Sequence, residues 1–268
     1  MSLFSFDQEQ LMTFFAVLVR YSVLIAILPF VGDRFVPGPV KVLLALAITF
    51  VAFPMLSHRG LINSGDAIAW GSNAGGIIRV IGLEALFGLI LGFSARFVFD
   101  SLTFGANMIG TFMGFAAASQ FDPHMETQSQ VIAEFYIAVA MLLFLVLDGH
   151  HLMLRAALDS YRFVGLGQIS IGPAFSQKLV ELSGEVMRFG IQIAAPVAVS
   201  TFTVNVVFGV LSKAMPQLNV LILSFAVTGM VGLVAMFVGL SEFQGAASSI
   251  LGRVGEWMQT IALSLNGK

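Results

Sequence analysis

Long uncharged stretches separated by short polar breaks run along this chain, and they predict a series of apolar helices. A helix that crosses about 30 Å of hydrocarbon needs about 20 apolar residues. Residues 11–31, 42–56 and 131–147 meet or approach that length. Residues 60–76 are rich in Gly, Asn and Ser, which predicts a loop.

The longest apolar region covers residues 77–121 and is too long for one span. Its only charged residues are Arg79, Glu84, Arg96 and Asp100. The region is therefore expected to turn, and the glycines at 105, 110 and 114 are the expected position of an irregular or re-entrant segment.

The C-terminal third predicts a helical hairpin. Residues 189–212 and 214–241 contain no charge. The segment between them contains Lys213, Pro216, Gln217 and Asn219 and is expected to form the turn. Two apolar helices joined by a short connection that contains proline predict an antiparallel hairpin.

Beyond this hairpin the apolar residues recur at steps of three and four, which predicts an amphipathic helix that lies on a surface. The residues on that face are Phe243, Ala246, Ile250, Val254, Trp257, Ile261 and Leu265. The most polar part of the chain is 155–188, with a loop expected at 171–173.

Composition supports an almost entirely helical, integral membrane protein. Of 268 residues, 57% are hydrophobic and 10% are charged, whereas soluble domains have about 25% charged residues. There is no cysteine, which excludes disulfides and thiolate metal sites. A net charge of −2 argues against nucleic acid as a partner. No catalytic or cofactor-binding motif is present, so neither enzymatic activity nor a cofactor is expected.

Charged residues inside apolar helices are candidate functional residues. Arg20 either contacts a partner or extends its guanidinium toward the membrane surface. Arg96 and Asp100 are four residues apart, so they are expected to form a structural charge pair on one helix face, with a proton relay as the alternative.

Asp148, His150 and His151 suggest metal ligands. Adjacent helical histidines point about 100° apart, so they are not expected to share an ion, and no metal site is predicted.

Met113 lies beside Phe112 and Phe115 in the glycine-broken segment. These side chains form either ordinary core packing or the lining of a narrow, deformable pore.

Four stretches, in order along the chain, resemble the FliR family of type III secretion export-gate proteins, which is called SctT in the virulence systems. The matching residues are Arg20, Pro29, Pro37 and Lys41; the run from Gly110 to Pro123; Asp148-Gly149-His150 with Ser160, Leu166 and Gly167; and the run from Gly209 to Asn219.

The resemblance implies a structural subunit that forms the flagellar export channel with FliP and FliQ, through which unfolded flagellar proteins pass. It implies residues 1–185 as a FliP-like part, with a plug near 105–121, and residues 186–268 as a FliQ-like hairpin with the amphipathic helix. The plug would contain Gly110, Phe112, Met113, Gly114 and Phe115. FlhA and FlhB are implied as further partners, and the inner membrane and flagellar basal body as the location.

Two alternatives remain open. One is the virulence-system homologue. The other is a secondary transporter with Glu84, Arg96 and Asp100 as its polar core, although the internal repeats typical of transporters are not found.

Overall fold

A computed structural model describes residues 7–29, 32, 36–63, 65–114, 124–215, 217 and 219–266, and the regular structure in these residues is entirely helical. The helices are α1 (Gln8–Ile27), α2 (Gly38–His58), α3 (Asp66–Gly71), α4 (Ala74–Phe112), α5 (His124–Val146), α6 (Gly149–Phe163), α7 (Pro173–Ala214), α8 (Val220–Val238), α9 (Leu240–Gly252) and α10 (Val254–Ser264). The predicted all-α class is confirmed.

Helix α4 is continuous over 39 residues, so the expected turn at the glycines 105 and 110 is wrong. At 1.5 Å per residue the helix is about 58 Å long, roughly twice the hydrocarbon thickness. Gly105 serves helix packing instead, because a Cβ there would lie 2.9 Å from the carbonyl oxygen of Gly190 in α7. The helix ends at Phe112, and Gly114 has a positive φ of +86°.

The polar residues that precede the hairpin in the sequence are part of the same helix as its first apolar segment. Helix α7 runs unbroken for 42 residues, with Pro196 inside it, and it begins at Pro173, where a proline fits the first turn. The predicted loop before it is confirmed. Residues 60–76 are only partly loop, since α3 and the start of α4 fall within them.

The antiparallel hairpin of α7 and α8 is confirmed by contacts between paired positions. The Thr228 hydroxyl donates to the Asn205 side-chain oxygen at 3.3 Å. A Cβ at Gly239 would lie 3.7 Å from the Pro196 ring. From the first of these contacts to the second, the residue number along α8 rises by 11 while the residue number along α7 falls by nine, as antiparallel helices require.

The chain divides into two compact units. The first comprises Met1–Phe97, Gly149–Leu182 and Arg253–Lys268; in it α1 packs on α2 and α3, and α6 packs on α10. The second comprises Val98–Asp148 and Ser183–Gly252; in it α9 packs on α5 and α8. The predicted division into a FliP-like part and a FliQ-like part rests on resemblance to other proteins and not on contacts within this chain. That division stays a prediction.

The predicted amphipathic helix is divided at Arg253 into α9 and α10, and its apolar face is not a free surface. Ile250, Val254 and Leu265 are fully buried, and Trp257 is 3% exposed. The face is covered by this chain itself, as α10 packs on α6 and the Ser170 N–H donates to the Leu265 carbonyl. The expectation that it lies on an external surface is therefore wrong, because the periodicity reports burial without naming what covers the face.

The chain is a membrane protein by the length and composition of its helices. Among the described residues, α1, α2, α4 and α7 are long and apolar enough to cross a membrane, and two bent helix pairs raise the number to as many as six. Helix α2 buries only the stripe Ala45, Thr49, Ala52 and Leu56 and exposes large apolar side chains around it.

Candidate functional site

A buried ion pair joins α1 to α4 in the first unit. Arg20 donates from Nε to Glu84 Oε2 at 2.5 Å and from Nη2 to Oε1 at 3.0 Å. Both side chains are shut off from solvent, at 1% and 0% exposed. This two-point geometry is the strong form of an arginine–carboxylate contact.

The remaining polar atoms of the pair are satisfied by the C-terminal end of α6 and the segment that follows it. Arg20 Nη1 donates to the Ser160 hydroxyl at 3.2 Å, and Nη2 donates to the Val164 carbonyl at 3.4 Å. The Gly167 N–H donates to Glu84 Oε1 at 2.8 Å. The cluster therefore ties three separate stretches of the first unit together.

Two aromatic rings surround the guanidinium. Its central carbon lies 4.3 Å from the Phe87 ring centroid and 3.7 Å from that of Tyr161. A desolvated guanidinium over an aromatic face gains about 2 kcal/mol. The rings exclude water from the ion pair and add to the attraction that holds it.

Two glycines bring α4 close enough for the pair to form. A Cβ at Gly88 would lie 2.5 Å from the Arg20 carbonyl oxygen, and a Cβ at Gly92 would lie 2.9 Å from the Ile27 Cβ. Four residues apart, they form one small-residue face on α4 against which α1 packs. Glu84 lies one turn before Gly88, so this close approach places it beside Arg20.

Both predicted roles of Arg20 are wrong, because its guanidinium does not extend to the surface and its binding partner, Glu84, is in the same chain. An unpaired charge in an apolar core costs several kcal/mol, so a chain that buries Arg20 must supply a counter-charge. The signal in the sequence was the opposite sign of two isolated charges, Arg20 and Glu84. Because the two residues are 64 positions apart, the sequence alone did not show that they pair.

Arg96 and Asp100 lie one helical turn apart on α4, both half-buried. Their structural charge pair stays a prediction. The transporter alternative loses part of its proposed core, because Glu84 is already committed to the buried cluster with Arg20.

The predicted plug residues begin at the C-terminal end of α4, in the second unit. Gly110 is buried inside the helix, Phe112 is 37% exposed, and Met113 is 1% exposed. Gly114 follows with its positive φ, and Phe115 lies outside the described residues. Their role as a plug stays a prediction.

The predicted turn residues lie at the hairpin tip. Lys213 is in the last turn of α7, where a cation is favourable. Asn219 caps α8, its side chain accepting from the Ile222 N–H at 3.5 Å. Gln217 is exposed, and Pro216 lies outside the described residues.

His150 and His151 lie closer together than expected. Their ring centroids are 4.1 Å apart, and one ring nitrogen of each lies within 4.8 Å of the other. The argument that adjacent histidines point too far apart to share an ion is therefore wrong. The expectation that this chain holds no metal stays a prediction.

The sequence matches a known protein family over most of its length. A model described as "Bacterial export proteins, family 1" matches residues 11–254, which places the chain in the class of bacterial export proteins. The flagellar biosynthetic protein FliR of Pectobacterium carotovorum subsp. carotovorum is 30% identical over 226 residues, covering 83% of this chain and 82% of the relative.

FliR of Escherichia coli (strain K12) is 27% identical over 223 residues, covering 83% of this chain and 82% of the relative. FliR of Bacillus subtilis (strain 168) is 25% identical over 231 residues, covering 85% and 86%. The chain belongs to the FliR family and is a component of the flagellar export apparatus. These relatives are named as biosynthesis proteins and not as enzymes.

Proposed function

We propose that this chain is a structural subunit of the flagellar type III export gate and forms, with FliP and FliQ, the channel through which unfolded flagellar proteins pass. The gate belongs to the inner membrane at the base of the flagellum, beside FlhA and FlhB. The subunit performs no chemistry. Its contribution is a wall of packed helices.

The observation that carries the proposal is the bare apolar surface of the hairpin formed by α7 and α8. Phe202, Met230, Phe237 and Val238 are each between 68% and 75% exposed. The hairpin residues 189–212 and 214–241 include no charge. An apolar surface of this extent needs lipid or other protein to cover it, and neighbouring subunits of a helical assembly supply that cover.

The buried ion cluster supports a structural role in the same way. Its charges are satisfied inside the chain, so it offers no open position for a substrate or a moving proton. A buried ion pair whose two charges are satisfied by each other and by fixed neighbours holds one arrangement of the helices around it. A wall that must hold its shape while a chain passes benefits from such a fixed arrangement.

The first test is purification in mild detergent followed by mass spectrometry. We expect a stable complex with two other small apolar proteins. Phe237→Lys should reduce the recovery of those proteins, because it places a charge on the apolar face. Gln217→Lys at the exposed hairpin tip is the matched control and should leave recovery unchanged. A monomer or homodimer would favour the transporter alternative and contradict the proposal.

We further propose that the segment beginning at Gly110 closes the channel. Bulky apolar side chains such as Phe112 exclude water and ions, and their non-directional contacts deform around a passing chain. Deleting residues 110–118 should leave the complex assembled but make the membrane permeable to small ions. Unchanged permeability with an intact complex would contradict the plug.

A further inference from the structure

Within the second unit, the end of α4 packs against α8 at Gly232, where the absence of a side chain leaves a notch. Met113 is 1% exposed, although it directly follows the 37%-exposed Phe112. A Cβ at Gly232 would lie 2.6 Å from Met113 Cγ, 3.0 Å from Cε and 3.2 Å from Sδ. The Met113 side chain therefore lies along the bare backbone of Gly232, in space that any other residue at 232 would occupy.

The helical hydrogen bonding of α4 ends beside this contact. The Met113 N–H donates to the Ile109 carbonyl at 3.0 Å, which completes the last helical bond. Gly114 then adopts a φ of +86°, a conformation that glycine adopts without steric cost. A Cβ at Gly114 would lie 3.4 Å from the ring of Phe225, which lies two turns before Gly232 on α8.

We propose that Met113 and Gly232 form an anchor that fixes the end of α4 to α8 and so positions the plug that begins there. Met113 is a positioning residue and does not line the channel. Its flexible, unbranched side chain follows the irregular notch closely. The anchor stays closed during export. This inference rests on the proposed channel function.

The chain has no cysteine, so the anchor can be tested with an introduced disulfide. Met113 Cβ is bonded to Cγ at about 1.5 Å, and it lies no closer to the Cβ position of residue 232 than Sδ, which is 3.2 Å away. The Cβ atoms of residues 113 and 232 therefore lie about 3–4 Å apart in a Met113→Cys, Gly232→Cys protein, within the range that a disulfide accepts. Oxidised complexes should contain this link, detected by mass spectrometry of the joined peptides.

Oxidised cells carrying this double variant should export flagellar protein at the same rate as reduced cells. If the bond forms and export stops, and a reductant restores it, Met113 must leave its seat during transport. That result would overturn the anchor. Failure of the link to form in an assembled complex would also overturn it.

A second experiment tests positioning through ion leakage. Gly232→Leu should push Met113 out and raise sodium permeability several-fold at unchanged complex yield. Gly229→Leu is the matched control, because a Cβ at Gly229 meets nothing within 4 Å. Adding Met113→Ala to Gly232→Leu vacates the space for the leucine and should return the leak toward its original value.

Equal leakage from the variants at 229 and 232, or no effect of Met113→Ala on the leak, would overturn the anchor. If the Gly232→Leu protein does not assemble, the disulfide experiment decides alone. Deletion of the whole chain separates the two proposals. If export continues without the chain, the proposed channel function fails whatever the anchor variants do.

Discussion

Neutralising Glu84 is expected to destabilise this protein far more than neutralising a carboxylate on its surface. Glu84→Gln keeps the size of the side chain but removes the charge that faces Arg20. Arg20 is 1% exposed, so its guanidinium stays in an apolar interior without a counter-ion. The Gly167 N–H also loses its carboxylate acceptor.

The size of the effect follows from this burial. Breaking a buried ion pair by changing one partner costs about 3–5 kcal/mol, which is roughly a 100- to 5,000-fold change in the unfolding equilibrium. At about 2–4 °C per kcal/mol, the apparent melting temperature should fall by about 6–20 °C. Glu181 provides the control, because it pairs with Lys178 at 2.7 Å but is 61% exposed. Such a pair contributes about 0–1 kcal/mol.

The assay is the fraction of monodisperse protein that remains after heating in mild detergent. Glu84→Gln should lower the midpoint well beyond Glu181→Gln. The combined Arg20→Met, Glu84→Leu protein should recover most of the loss, because apolar residues of similar volume satisfy the same space. Equal shifts for Gln at 84 and 181, or no recovery in the apolar pair, would refute the reasoning.

Three further predictions concern a close helix contact, a charge pair and a helix cap. Gly88→Ala should lower the thermal midpoint, because its Cβ meets a carbonyl oxygen of α1 at 2.5 Å, whereas Gly82→Ala meets nothing within 4 Å and should raise it slightly; a common direction of change would contradict the close-approach argument. Exchanging Arg96 and Asp100 (Arg96→Asp with Asp100→Arg) should restore much of the motility that either single change loses; full loss at normal complex yield would favour a proton relay instead. Asn219→Ala should destabilise the hairpin by about 0.5–1 kcal/mol through loss of its helix cap, measured as the thermal midpoint, and no shift would show that its 3.5 Å bond contributes nothing.

Local features of the chain were enough to predict several elements correctly. The charge-free runs and the polar segment between them identified the antiparallel hairpin of α7 and α8, because helix length and turn residues are local properties. The steps of three and four near the C-terminus identified an apolar helical face, because that spacing is a local property, although they did not predict that the chain itself covers it. The small number of charges identified a membrane protein, because charge is what keeps a soluble surface hydrated.

Tertiary contacts decided everything that depends on a distant partner. The glycines at 105 and 110 indicated breaks, but both lie inside a continuous helix, where Gly105 packs closely against Gly190. The sequence indicated that Arg20 extends to the surface or contacts another protein, because its counter-charge Glu84 is 64 residues away. Met113 has an apolar side chain that suits either a pore or a core, and only the bare backbone of Gly232 places it in a notch. For the glycines, the local preference against a helix is worth about 1 kcal/mol each, and packing against a specific neighbour outweighs it.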